Sequence, residues 1–133
     1  MVLQQPGSHQ RDADEVIPAE VDLILSAMDV GQSFAGERRR ASRLPLRRRA
    51  SLKLYADPAD ANPRTIFTRD ADARGMGFIT PDLLPLGYGG WVTVRAPNGD
   101  VLQVECTVYR CRKTVEGWYE GALNFHRQVW QLG

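Results

Sequence analysis

The chain has 133 residues, with 17 Lys or Arg against 16 Asp or Glu, a formal charge of +1, and 43% apolar residues. That is the composition of one ordinary globular domain, and it argues against a protein whose whole surface is built to hold a polyanion. No apolar run approaches the roughly 20 residues a membrane-spanning helix needs, and the polar N-terminus lacks the apolar centre of a secretory signal, so the expected location is the cytoplasm.

Residues 1–16 are polar and hold Pro6, and they read as a disordered arm. Residues 17–36 read as a short helix and a linker. Pro18 suits a first helical turn, and Glu20 and Asp22 favour the positive end of the helix dipole. Val21, Ile24, Leu25 and Met28 recur at i, i+3, i+4 and i+7, so they share one face that packs on the rest of the fold. Gly31 is the expected stop. From there the period changes from 3.6 to 2. Ala50, Leu52 and Leu54 alternate with Ser51, Lys53 and Tyr55 as a half-buried strand, and residues 57–63 form a Pro- and Asp-rich loop. Short strands follow at 65–69 and, after a tight turn, at 76–79. A Pro/Gly loop at 81–90 leads to a strand at 91–96. Asn98-Gly99 then predicts a type I′ hairpin turn. The next strand, 101–111, places Leu102, Val104, Cys106 and Val108 on one face. A final strand over 118–125 places Tyr119, Gly121, Leu123 and Phe125 on one face. In the tail, 128–133, Val129, Trp130 and Leu132 are positioned to cover an end of the core.

Six short strands with Gly/Pro turns predict an all-β fold, a small six-stranded antiparallel, split β-barrel over residues 37–127 preceded by a short amphipathic helix. Cys106 and Cys111, five apart on one continuous strand, are expected to face opposite sides. They read as a core hydrophobe and a free thiol near a strand end. With only His9 and His126, at opposite ends of the chain, no zinc or other metal site is expected.

The positive charge is concentrated. Residues 37–49 hold seven arginines and no lysine. Guanidinium is planar, permanently charged, and matches phosphate or the O6/N7 edge of guanine with two parallel hydrogen bonds. Arg39-Arg40-Ala41-Ser42-Arg43 forms Arg-x-x-x-Arg, and downstream Asp70-x-Asp72-x-x-Gly75-x-Gly77-Phe78 opens a strand. Their order, their spacing and the barrel pattern between and after them resemble the PilZ domain family over about residues 37–127. The resemblance implies a receptor for the bacterial second messenger cyclic di-GMP. Arg39 and Arg43 would grip phosphate and guanine, Asp70 and Asp72 would stand in the second motif, and Gly75 would let backbone approach the ligand. Arg38 and Arg40 would add charge or stack on a base. Arg43 and Arg47 share the same spacing and form an alternative register. The family implies that the ligand orders the Arg-rich segment against the barrel, and that a further protein reads the result.

The family's serine is Asp72 here. A carboxylate only accepts hydrogen bonds. Facing a phosphate about 4 Å away, it would cost about 4 kcal/mol at an effective dielectric of 20. Directed at a guanine amino group, or paired with Arg74 or the arginine run, it is compatible with the ligand. A second reading is therefore a PilZ-type interaction domain that does not bind nucleotide. Nucleic acid is a third, disfavoured because Trp91, Trp118 and Tyr119 are not interleaved with the basic residues. An enzyme is not expected: no nucleophile–histidine set or phosphate-cradling glycine loop before a helix is present, and no cofactor is implied.

Overall fold

The computed structural model describes residues 16–35 and 43–133; all but the last residue of the arm expected over 1–16, and with it Arg38, Arg39 and Arg40 of the arginine run, lie outside them. A helix, α1 (Ala19–Ala35), precedes seven strands: β1 (Leu44–Pro45), β2 (Arg49–Leu54), β3 (Arg64–Ala71), β4 (Gly75–Thr80), β5 (Gly89–Arg95), β6 (Val101–Lys113) and β7 (Tyr119–Phe125). The six strands expected from the sequence are β2 to β7. β1 is two residues long and carries no alternation a sequence could show.

The strands run in the order β3-β2-β5-β6-β7-β4, all antiparallel, and β4 pairs back onto β3. The sheet therefore closes into a six-stranded barrel, and no long edge is left to template aggregation. β1 lies against the C-terminal end of β3, Leu44 opposite Ala71 and Pro45 opposite Asp70. It continues the line of β2, because Leu46 N–H donates to the Arg69 carbonyl and Thr68 N–H to that of Arg48. The chain leaving the arginine run is thus laid directly beside the end of β3.

Alternation decides what fills the barrel. Leu52, Ile66, Phe78, Val92, Val104 and Leu123 are all buried in one core, which Val129 and Leu132 of the tail close at one end. Trp130, expected to join them, is 73% exposed. Outside the barrel, Val21 and Leu25 of α1 form a second buried cluster with Phe67 and Ile79, against which Ile17, Ile24, Met28 and Trp118 pack. The indole of Trp118 lies 6.0 Å from the Phe67 ring and its Nε1–H donates to Glu20. The helix covers the outer face of β3 and β4, which is why every residue of β4 is buried although the strand belongs to a barrel wall. α1 also runs through Gly31 to Ala35. One glycine inside a helix costs only about 1 kcal/mol, so it does not by itself end one.

Two further local expectations are corrected. At residues 96–100 no non-glycine residue has positive φ, and only Gly99, at φ 96°, is left-handed. Gly99 N–H donates to the Ala96 carbonyl and Ala96 N–H to that of Asp100. This is a type I turn followed by a left-handed glycine, the geometry that Pro97 with its fixed negative φ favours over type I′. Cys106 and Cys111 do not face opposite sides. A register shift in β6 between Val108 and Arg110 resets the alternation, and Cys111 packs against the same core as Cys106. Both are free thiols, and burial pushes that of Cys106 up to about 12.

The β2–β3 loop is closed by Asp57, which accepts from Leu54 N–H at 3.1 Å and from Arg64 Nε and Nη2 at 3.2 and 2.9 Å. The Arg64 hydrogen bond holds the Asp57 carboxyl below its ordinary value, against an opposing contribution from burial. A depressed carboxyl stabilises the fold above its unfolded value near 4 and loses that contribution as pH falls through the folded value. Thermal melts from pH 7 to 2.5 are expected to show an acid decline that Asp57→Asn partly flattens, at the expense of a lower melting temperature at pH 7.

Candidate functional site

The site is built at the end of β3, where the ladder with β4 is irregular. Thr68 pairs with Phe78 and Asp70 with Gly77, so Arg69 is an extra residue, a β-bulge. Bulges re-aim side chains, and here Arg69 and Asp70 both line one pocket, while Thr68 and Ala71 on either side are buried. Without the bulge, simple alternation would put Asp70 on the same face as Thr68.

The carboxylate of Asp70 lies across β4. Its Oδ1 accepts from Gly77 N–H at 3.2 Å, and a Cβ on Gly77 would come within 2.8 Å of that same oxygen. Glycine at 77 is what allows Asp70 to lie there. Asp72 closes the β3–β4 turn: its Oδ1 accepts from Arg74 N–H at 2.8 Å and Gly75 N–H at 3.0 Å. This is the side-chain turn mimicry that Asp and Ser share, so a carboxylate does here what a hydroxyl would do. Gly75 has an ordinary negative φ region to itself, since positive φ is confined to Gly87, Gly99 and Gly117 among the described residues. Packing, not turn geometry, demands glycine at 75. A Cβ would sit 2.2 Å from the carbonyl oxygen of Leu123 on β7. Gly75→Ala is expected to destabilise the barrel by about 3 kcal/mol, the upper end of the overpacking range, because the obstacle is backbone. Urea unfolding measures this.

Arg43 reaches into this corner from just before β1. Its Nη2 is 3.5 Å from Asp70 Oδ1 and its Nε is 3.7 Å from Asp72 Oδ2. These are ion-pair separations rather than hydrogen bonds, and the buried Nε has no hydrogen-bond partner. The two carboxylates hold the guanidinium in position while leaving hydrogen-bonding capacity uncommitted. Arg47, four residues on, is committed elsewhere. It donates to Asp22 at 2.7 Å, Ser26 at 3.0 Å and Asp29 at 2.5 Å, all on α1. The Asp29 hydrogen bond is foremost in raising the Arg47 pKa.

Arg43, Pro45, Asp70, Arg69 and, from α1, Asp29 line a small pocket of about 40 Å³. On the other flank of the turn, Arg74, Asn124, His126 and Arg127 border an open hollow of about 390 Å³. Of the residues picked out in the sequence, Arg43, Asp70, Asp72 and Gly75 are brought together here, with Arg38, Arg39 and Arg40 outside the described residues. Gly77, part of the quoted motif but assigned no role, joins the site, as do Asp29 and Arg69, which the sequence did not single out. The Gly75-x-Gly77 spacing beside an aspartate is a signal for Gly77; Asp29 and Arg69 have none, because a helix register and a bulge place them.

A family model, described as PilZ domain, matches residues 37–129. The chain belongs to the PilZ domain family. The matched range contains both the arginine run and the Asp70–Gly75 turn, the two segments that meet at this corner. No curated protein and no solved structure matches the chain. PilZ domains are, as a family, receptors for cyclic di-GMP, a ligand-binding rather than a catalytic class. Among the described residues of this PilZ chain no group of metal-ligating side chains is assembled, and no helix is long and apolar enough to cross a membrane.

Proposed function

We propose that this PilZ domain is a cyclic di-GMP receptor module that passes ligand occupancy to a protein partner. The observation that carries the reading is the placement of Arg43 between Asp70 and Asp72, which brings two motifs about 30 residues apart into one corner. Arg43 would donate to a ligand phosphate. Asp70 retains acceptor sites for the N1–H and N2–H₂ of guanine, since a carboxylate offers about four. Arg39 would supply the second guanidinium, with Arg38 and Arg40 beside it. The commitment of Arg47 to α1 favours this Arg39/Arg43 register over Arg43/Arg47. The hollow bordered by Arg74 and Arg127 offers room on the other flank of the turn for part of a dinucleotide. Ligand held in this way would bring residues 38–43 against the barrel and create the surface a partner reads. As a receptor for an intracellular messenger, the chain would act in the cytoplasm.

Asp72 is compatible with this reading. One oxygen is spent on turn amides and the other faces Arg43, so its charge is offset by a cation at a distance similar to that of the phosphate it would otherwise repel. The same pairing also supports the second reading, a PilZ-type docking domain without nucleotide, because Arg43 is neutralised with no ligand present. Calorimetric titration with cyclic di-GMP, using GTP and cyclic di-AMP as controls, separates the two. The receptor is expected to bind cyclic di-GMP alone, at micromolar affinity or better. Absence of heat and of binding at high micromolar ligand would leave the docking domain.

A further inference from the structure

Among the described residues Arg69 is the least exposed charged residue. It is the bulge residue of β3 and its side chain is only 4% exposed. A buried guanidinium is costly unless its donors are satisfied. Here Nε makes one long contact, 3.4 Å, to Asp29 Oδ1, and the buried Nη2 has no hydrogen-bond partner. The same side chain lines the pocket shared by Arg43, Pro45 and Asp70. Two guanidinium groups, one reaching in from the chain before β1 and one built into the barrel wall, therefore converge on one small space. Two carboxylates stand at that space, Asp70 from β3 and Asp29 from α1, and Asp29 is the one in contact with Arg69.

Resting on the receptor reading, we propose that Arg69 is a further phosphate-binding residue of the site and that Asp29 is the internal anion that occupies its place in the ligand-free chain. The chemistry follows from valence and size. A phosphate presents several acceptor oxygens, enough to take Nη2 of Arg69 and a donor of Arg43 together. At about 40 Å³ the pocket has room for a few waters and not for a phosphate beside the carboxylate. The ligand must displace Asp29 from Arg69 to enter. Asp29 keeps Arg47 as a partner when it leaves, so the displaced carboxylate is not stranded. Phosphate and the Asp29 carboxylate compete for the same guanidinium, and that competition sets the affinity of the site.

The test is a calorimetric titration of the full chain and four variants with cyclic di-GMP. Asp29→Asn removes the competing charge and is expected to tighten binding about tenfold, the equivalent of one charge-assisted hydrogen bond no longer contested. Asp22→Asn removes the same charge from the same helix, and another of the Arg47 partners, without touching Arg69; its affinity is expected to stay within about twofold of the parent. Arg69→Gln is expected to weaken binding at least tenfold, and the Asp29→Asn/Arg69→Gln pair to lose the gain shown by Asp29→Asn alone. Arg69→Lys, which keeps the charge, serves if the glutamine variant does not fold. Equal affinities for the parent, Asp29→Asn and the Arg69 variants would overturn this inference and leave the receptor reading standing, as would an Asp22→Asn gain equal to that of Asp29→Asn. Folded parent and Asp29→Asn proteins that both ignore cyclic di-GMP would overturn the receptor reading itself. Binding by Asp29→Asn where the parent binds only weakly would support both.

Discussion

Replacing Arg39 and Arg43 together with alanine is expected to reduce cyclic di-GMP affinity by a factor of a hundred or more while leaving the barrel folded. A hydrogen-bonding interaction with a charged group is worth about 1.5–3 kcal/mol, so losing two arginines removes about 3–6 kcal/mol. A micromolar complex has about 8 kcal/mol in total. What remains, about 2–5 kcal/mol, corresponds to binding in the high-micromolar range or weaker. Loss of Arg43 has an added effect, because Asp70 and Asp72 are left facing the phosphates with no cation between them. Stability is expected to change little. Arg43 makes no hydrogen bond to either carboxylate, and partly exposed ion pairs of this kind contribute about 0–1 kcal/mol. Calorimetry together with a thermal melt reads both quantities. A double variant that binds as tightly as the parent would remove the receptor reading.

Phe78→Ala is expected to lower the free energy of unfolding by about 3–5 kcal/mol, the range for deleting a fully buried aromatic side chain. Phe78 has no exposure and sits on β4, the strand that closes the barrel, paired with Thr68 on β3 and Gly121 on β7. Its ring fills the space over Gly121, where a Cβ would meet Phe78 Cζ at 2.6 Å. Neither neighbour in that row has a side chain large enough to collapse into the void, so the cavity term is expected at full size. Equilibrium urea unfolding of the parent and the variant measures it. A difference below 1 kcal/mol would contradict closure of the barrel through β4. The variant also loosens the hairpin that carries Asp70 and Asp72, so weaker cyclic di-GMP binding is expected even where the protein remains folded.

Period-2 alternation, apolar runs and turn residues located all six barrel strands; a strand with one face in the core alternates, while β4, covered on both faces, is read as a short apolar run between turns. The helix stripe was legible for the same reason: Val21 and Leu25 repeat at the spacing of a single helical face, and that face is buried. Errors arose where regularity fails. The expected opposite facing of Cys106 and Cys111 assumed an unbroken strand, and the bulge near Tyr109 reverses it. The type I′ turn assumed that Asn-Gly dominates, and Pro97 before it selects another turn.

Sequence alone determined the architecture, the family resemblance and the two motifs, because each rests on residues close together in the chain: alternation, turn chemistry, a run of arginines, a short Asp-rich turn. Tertiary structure decided where the motifs meet. The arginine run belongs to one barrel strand's approach and the aspartates to the turn after the next, and only pairing of β1 with β3 sets Arg43 beside Asp70 and Asp72. The β3 bulge turns Arg69 and Asp70 to the same pocket, and the register of α1 on the barrel delivers Asp29 to it. A bulge is one residue of slip in a hydrogen-bond ladder, fixed by both strands at once, and a helix register is fixed by the surface beneath it. Neither is a property of any single stretch of chain, so neither can be read from one.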